Sequence, residues 1–563
     1  MTLFYGRGFF IFLKTLSKKL SSLEKVVVVL LLFVVVLEFI NGSLRFYYRN
    51  AEKIPVKGGV IVEGMVGEPK LINPVLASTE LDKTLSSLIF SGLVRYDENK
   101  DIVPALAERC ETSPDRRTYT CYLKRNLVWH DGQAFNAEDV NYTIAVIQNP
   151  DYYGSLKSVW DGVKVEKIDD YTISFNLPKP YPLFLSSLTM GILPHHLWVN
   201  IPVKDFDKST LNINAIGTGP YKIGNTVKSK DGKITSFVMN ANDKFVAGSP
   251  NIESIEVKLY SNKKELLEGF AGREISSFGL YSTDDAKVAK KTGGYNNYYV
   301  DLPQYVALFF NSKHSVTLSD RAVREALAYS TNKEEINENV TFGAGVVIDS
   351  AILPGYLGYN SEVKKYKYDQ KNASTILSQA GWSDQDKDGV KDKEGKKLSF
   401  DLVILDDPQF VRIAEALQKS WSKIGVGLNV KKFDEATLEQ VINKREYDML
   451  IIGENLGADP DLYSYWHSSQ ASVPGLNLAM YENGEADKLL EEARQTSDSN
   501  LRIKDYKRFQ ELIADDLPAI FLYQPSYVYK VSSKVKGIDL SGISNTWSRF
   551  YNVSNWYMKY RRK

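Results

Sequence analysis

Asp459-Pro460-Asp461-Leu462-Tyr463-Ser464-Tyr465-Trp466-His467-Ser468-Ser469-Gln470 stands between a strand-like run, Tyr447 to Gly453, and two helical segments rich in acid and base, Glu485 to Thr496 and Leu501 to Asp515. Its chemistry reads as a turn at Asp459-Pro460-Asp461, with Asp461 placed to cap a helix from Leu462. Beyond the helices comes Pro518-Ala519-Ile520-Phe521-Leu522-Tyr523, a strand signal. Strand, turn, helices and strand in one segment point to a mixed α/β body.

Working outward, Leu93-Val94-Arg95-Tyr96 precedes Ile102-Val103-Pro104-Ala105-Leu106-Ala107. Then comes Trp129-His130-Asp131-Gly132-Gln133-Ala134-Phe135-Asn136-Ala137-Glu138-Asp139-Val140, in which Asp131-Gly132 makes a tight turn and Asn136 caps a helix starting near Ala137. Gly217-Thr218-Gly219-Pro220-Tyr221 is next, then Asn311 and Asp320-Arg321-Ala322-Val323-Arg324-Glu325-Ala326-Leu327. In this order these blocks, with the Asp459 stretch, resemble the extracellular solute-binding proteins, family 5, the peptide, dipeptide and nickel receptors of ABC importers. The resemblance runs from about Gly58 to the C-terminus.

The resemblance implies an α/β, periplasmic-binding-protein-like type II fold with three lobes. It assigns 57–86, 215–300 and 525–556 to lobe I, 87–214 to lobe II and 301–524 to lobe III, with solute held between lobes one and three. Length agrees: 563 residues exceed what one hydrophobic core usually supports. A net charge of +1 gives no electrostatic reason to expect nucleic acid as a partner.

Topology is set near the N-terminus. Val26 to Leu37 is uninterrupted apolar sequence, followed by Glu38, Phe39 and Ile40, and Arg7, Lys14, Lys18, Lys19 and Lys25 lie upstream. Positive charge on that side keeps residues 1–25 cytoplasmic and exports the chain beyond Ile40. The run overlaps in length both a cleavable signal core and a short span. Asn41-Gly42-Ser43-Leu44-Arg45 offers no cleavage pattern of small residues and no nearby Cys for a lipid, which favours an uncleaved single-pass anchor over 26–40. The expected location is the cell membrane, with the globular part extracytoplasmic and monomeric.

Further local signals fill the map. Leu81 to Leu93 reads as a helix, and Val163 to Ile168 with Tyr171 to Leu177 as a hairpin; Ser319 is placed to cap the helix Asp320 to Tyr329. The only cysteines, Cys110 and Cys121, flank a turn-rich stretch; a hairpin pairing Glu111 with Thr120 puts them face to face, and export permits a disulfide.

Five His and no nucleophile elbow, zinc-protease motif, Walker loop or dinucleotide fingerprint leave no enzyme signature; a secreted hydrolase or an envelope peptide chaperone are the alternatives from other classes. Asp384, Asp386, Asp388 and Asp392 are spaced like the opening of an EF-hand, but Gly395 stands where the bidentate Glu belongs, so the expectation is weak Ca²⁺ binding or an acidic hairpin tip.

In the family's oligopeptide and dipeptide receptors an Asp four residues before the Pro of the Asp/Glu-Pro motif receives the peptide's amino group. Here that position is Leu456; Glu454 and Asp459 are the nearest acidic residues, with Glu454 preferred. Tyr305, Tyr463 and Trp466 are candidate cleft aromatics. The expected function is capture of a peptide-like solute for an ABC permease, without chemistry; nickel, haem or an oligosaccharide are the same-fold alternatives.

Overall fold

The computed structural model describes residues 21–50, 53–181, 183–281, 283, 290–457, 461–473, 475–496 and 498–562. They form two compact units: Gly58–Trp556, and a unit from the chain's ends, within Met1–Lys57 and Tyr557–Lys563.

In the terminal unit the helix Ser22–Asn50 opens with a reciprocal cap. Ser21 N–H donates to Glu24 Oε2 (2.8 Å), and Glu24 N–H donates to Ser21 Oγ (3.4 Å). Val26–Leu37 lies mid-helix with its side chains exposed apart from the half-buried Val28, among them Leu30, Phe33 and Val35. Glu38 and Asn41 interrupt the apolar character beyond it, and no helix among the described residues is long and apolar enough to cross a membrane. Lys53–Val56 pairs antiparallel with Lys559–Arg562 in the same unit.

The large unit holds three main sheets. A seven-stranded one runs in the order Tyr295–Asp301, Ser526–Ser532, Ser277–Tyr281, Val60–Val66, Ser254–Tyr260, Ile234–Ala241, Tyr221–Lys228. Its central strand, Val60–Val66, is parallel to both neighbours, and the other pairs are antiparallel. Parallel central strands are buried on both faces, and the cost shows in what that strand carries: Glu63, wholly buried. Arg549 answers it, with Nη2 at 2.9 Å and Nε at 3.0 Å from Glu63 Oε1. Ser277 Oγ (2.5 Å) and Tyr529 Oη (3.0 Å) donate to Oε2, and Arg549 Nη1 donates to Thr546 O (2.8 Å). One satisfied polar network thus ties three strands to the C-terminal segment.

A four-stranded antiparallel sheet runs Ala107–Thr112, Thr118–Leu123, Thr172–Asn176, Lys164–Asp169. Glu111 pairs with Thr120, and Cys110 lies opposite Cys121 and is disulfide-bonded to it. Asn136 caps the helix Ala137–Gln148 in a capping box with Asp139. The two motifs of this region meet. His130 Nδ1 accepts from Gly217 N–H (3.2 Å), so Nε2 carries the proton and donates to Gly219 O (3.1 Å). Burial holds its pKa down at about 4. Gly219 N–H donates to Ile89 O (2.7 Å), and a Cβ on Gly217 would lie 1.9 Å from the same carbonyl. Only glycine lets this segment, just before the strand Tyr221–Lys228, approach so close to the end of the helix Glu80–Ile89.

The six-stranded sheet runs Val346–Val347, Ala519–Gln524, Gln304–Phe310, Met449–Asn455, Ser399–Leu405, Gly427–Phe433, with its last three strands parallel. Gln304–Phe310 is apolar on both faces: Val306, Leu308 and Phe310 enter one core, Tyr305, Ala307 and Phe309 the other. Helix Pro408–Trp421 starts with Pro at its first turn and Asp407 as cap, and covers the first of these cores.

Two expected caps differ. Asp320, not Ser319, caps Arg321–Tyr329, because Ser319 Oγ turns back to Val316 O (2.6 Å) to close a 3-10 turn. The helix expected from Leu462 covers only Tyr463–Trp466 and has no side-chain cap; Asp461 instead pairs with Arg494 (3.2 Å).

Replacing Arg549 by Met would strand the Glu63 carboxylate in the core. Chemical denaturation is expected to show a loss of about 3–5 kcal/mol for R549M, and a smaller loss for the double variant E63Q/R549M, which removes the orphaned charge.

Candidate functional site

The chain passes between the seven- and six-stranded sheets at two adjacent points, Leu302-Pro303 and Pro525. Proline fixes φ and removes an N–H from each crossing. Gln524 Nε2 donates to Leu302 O (2.8 Å), Leu456 N–H to Pro303 O (2.7 Å) and Ser526 Oγ to Asp301 Oδ1 (2.9 Å), so the two crossings form one hydrogen-bonded strap.

Beside this strap lies a cavity of about 210 Å³, walled by Tyr281, Gln304, Tyr305, Gln409, Glu454 and Asn455, with Thr283, Phe410 and Pro525 also at its surface. Three carboxamides and two phenols give it hydrogen-bonding capacity without fixed charge. The walls come from both sides of the crossings: Tyr281 ends a strand of the seven-stranded sheet, and Glu454 and Asn455 end one of the six-stranded sheet.

Glu454 is the one acidic group in this wall. It faces Tyr305 across the register of their strands, and Tyr305 Oη donates to its Oε2. Its other oxygen, Oε1, is buried without a hydrogen-bond partner. Burial raises its pKa to about 8, more than the Tyr305 bond lowers it, and burial together with Glu454 pushes Tyr305 well above the ordinary phenol range. At neutral pH the carboxyl is therefore mostly protonated.

The other residues singled out from sequence are spread around this site. Tyr305 lines the cavity through its contact with Glu454. Trp466 is fully buried behind it, packed on Phe309 (6.0 Å) and Phe521 (5.9 Å) in the core. Tyr463 stacks on His467 (4.2 Å) and lies under the Arg494 guanidinium (4.6 Å), away from the cavity wall. Asp459 lies outside the described residues. Arg494 also reaches to within 6.0 Å of the Tyr181 ring, and Lys100 Nζ donates to Tyr356 Oη (3.2 Å); both bring residues of 87–214 against residues of 301–524.

Asp384, Asp386 and Asp388 cluster, exposed, with carboxylate oxygens within 4.8 Å of one another. The ammonium of Lys397 bridges two of them, 2.5 Å from Asp386 and 2.7 Å from Asp388. Asp392 does not join the set: it is buried, and its Oδ2 accepts from Gln385 N–H (3.1 Å). The strand pair Asp392–Lys393 with Lys396–Lys397 turns it inward.

The wall residues Gln304, Gln409 and Asn455 carry no sequence signal, since amides at these spacings are ordinary. The prolines at 303 and 525 were the one legible clue that two strands end there.

Protonation of Glu454 makes stability depend on pH in a defined direction. Below about pH 4.5 it is protonated in both states; between there and about 8 the folded state keeps the proton that the unfolded state has lost, so stability falls as pH rises, and above 8 the dependence ends. The decline across that window should amount to about 5 kcal/mol on the order-of-magnitude scale of such shifts. Glu454→Gln is expected to flatten it, as measured by denaturation midpoints from pH 4 to 9.

Residues 101–475 match the family model for Bacterial extracellular solute-binding proteins, family 5 Middle. The oligopeptide-binding protein AppA of Bacillus subtilis (strain 168) is 30% identical over 532 residues, covering 92% of this chain and 94% of AppA. The structure of Bacillus subtilis AppA in complex with a nonapeptide superposes with a TM-score of 0.73 at 29% identity, covering 90% of this chain and all (100%) of that one. NikZ from Campylobacter jejuni, in complex with Ni(L-His), superposes with a TM-score of 0.72 at 30% identity, covering 88% and 99%. The α/β architecture is therefore periplasmic-binding-protein-like. With the family model spanning most of the chain and AppA matching nearly end to end, the protein belongs to the bacterial extracellular solute-binding proteins, family 5.

Proposed function

We propose that this protein is the extracytoplasmic substrate-binding component of an ABC importer, taking up a peptide or peptide-like solute in the cavity beside the Pro303 and Pro525 crossings. The observation that carries this reading is Glu454: a buried carboxyl with one unmade hydrogen bond, at the edge of a cavity rich in carboxamides. An ammonium group supplies the missing donors and the compensating charge, while Gln304, Gln409 and Asn455 offer partners for peptide N–H and C=O groups. AppA, with its nonapeptide, supports the peptide class. The cavity is smaller than the ~300–1,000 Å³ of drug-sized sites, which suits a short ligand or one end of a longer one.

In this reading the lobes are 57–86 with 215–300 and 525–556, then 87–214, then 301–524. The two crossings act as the hinge, and the Arg494–Tyr181 and Lys100–Tyr356 contacts close across the cleft. The receptor does no chemistry; it delivers its load to permease subunits. The exposed Val26–Leu37 run within Ser22–Asn50 supports a membrane anchor, which keeps the receptor near its permease.

Residues from Lys57 onward, purified and screened by thermal shift, are expected to respond to free-amino peptides and not to their N-acetylated forms. Glu454→Gln should weaken binding roughly tenfold or more. Calorimetry in two buffers should show proton release when a free-amino peptide binds near pH 7, because the ligand ammonium ionises Glu454. A response to Ni(L-His) or haem with none to peptides would overturn the peptide class. For the anchor, the full chain is expected in the membrane fraction, and the same chain with Val29→Asp, Leu32→Asp and Val35→Asp in the soluble fraction.

A further inference from the structure

Two stretches far apart in the sequence carry the same chemistry. Residues 41–57 hold Arg45, Arg49, Lys53 and Lys57 against one acid, Glu52, and residues 557–563 hold Lys559, Arg561, Arg562 and Lys563 with no acid. The whole chain has a net charge of only +1, so this excess is a local concentration. Aromatic residues are interleaved with it: Phe46, Tyr47, Tyr48, Tyr557 and Tyr560.

The fold of the terminal unit brings the two stretches together, because Lys53–Val56 pairs antiparallel with Lys559–Arg562 as a two-stranded ribbon. The register sets Lys53 directly opposite Arg562, and like charges at opposed positions destabilise a ladder. A ribbon of two strands is itself marginal in water. Lys53, Lys559, Tyr560 and Arg561 are exposed. Lys53 Nζ lies over the Tyr560 ring (5.2 Å), and among the described residues Lys53, Lys559 and Arg561 reach no carboxylate. The ribbon thus gathers positive charge where its own stability is poorest, and an anionic surface would relieve the repulsion.

Position follows from chain length. Lys53 comes three residues after Asn50, where the helix Ser22–Asn50 ends, so the ribbon starts within about 11 Å of that end. The apolar stretch 26–40 is about 22 Å long as a helix, short of the ~30 Å hydrocarbon core. An inserted helix would therefore draw the turns after Ile40, with the exposed Phe46, into the interface. The ribbon then comes to headgroup level, where Tyr favours the boundary and Lys and Arg meet phosphate. Cations on both of its faces act together, since screening at physiological salt extends about 8 Å.

We propose that the ribbon formed by Lys53–Val56 and Lys559–Arg562 is a second membrane contact, which binds the phosphate headgroups of anionic phospholipid beside the helix. Charge complementarity selects this partner, and the exposed apolar run of the adjoining helix places it at the same surface. The location at the bilayer rests on the anchor reading, whereas the attraction between ribbon and anionic lipid does not.

The test uses the full chain carrying Val29→Asp, Leu32→Asp and Val35→Asp, which removes insertion and leaves the ribbon intact. Flotation with vesicles of phosphatidylcholine alone, and with about 30% phosphatidylglycerol added, is expected to show binding to the second only. That binding should be lost as NaCl rises from about 50 to about 300 mM. Adding Lys53→Gln, Lys559→Gln and Arg561→Gln should weaken it roughly a hundredfold, about fivefold for each charge removed. Lys204→Gln, Lys230→Gln and Lys423→Gln, at exposed lysines of the large unit, remove the same charge and should leave it unchanged. Equal binding to both vesicles, or equal loss in the two charge-removed variants, overturns the proposal. Hydrogen exchange of the wild-type chain in nanodiscs checks the contact without the Asp substitutions. Amides of 53–56 and 559–562 are expected to exchange roughly tenfold more slowly when phosphatidylglycerol is present, and equal rates overturn the proposal. Absence of wild type from the membrane fraction would sink the anchor reading, while flotation that depends on phosphatidylglycerol would still support the ribbon.

Discussion

Two strands cross between the sheets side by side, at Leu302-Pro303 and at Pro525, and Gln524 ties one crossing to the other through Leu302 O. That constraint organises the large unit. It fixes where Gln304–Phe310 and Ala519–Gln524 enter the six-stranded sheet as neighbours, and so which of their residues face each core. It also fixes where Tyr295–Asp301 and Ser526–Ser532 pair in the seven-stranded sheet. Because both crossings lie together, few backbone torsions separate the two sheets. The cavity opens beside this strap.

Glu63 and Glu454, two of the buried carboxyls, illustrate opposite solutions to one electrostatic problem. Glu63 is fully answered by Arg549, Ser277 and Tyr529, which makes it a structural tie. Glu454 has only Tyr305 and keeps its proton to avoid a charge the protein does not balance. In the proposed reading, the hydrogen bond left unmade at Glu454 is kept for the solute.

The motifs that announced the family turned out to be packing devices. Trp129-His130-Asp131-Gly132 and Gly217-Thr218-Gly219-Pro220-Tyr221 meet through a neutral His130, and Gly217 and Gly219 are glycines because Ile89 leaves no room for a Cβ. The residues facing the cavity, by contrast, sit at strand ends and a helix start far apart in sequence. Fold was therefore easier to read than site: packing requirements repeat with secondary-structure period, whereas a binding wall needs only that single residues converge in space.

Local pattern alone established the α/β class, most element positions to within a few residues and the Asn136 cap, while the family followed from the resemblance of its motif blocks. These depend on apolar spacing, caps and turns, which a chain displays before it folds. Local pattern did not establish that Ser319 would turn away from its expected helix, that Asp461 would pair with Arg494, or that Trp466 would belong to the core while Tyr305 met Glu454. Packing settled these, because burial and partner choice depend on which distant segments the sheets bring together. The protonated state of Glu454 comes from that arrangement alone, since a charge's cost is set by its surroundings and not by its neighbours in sequence.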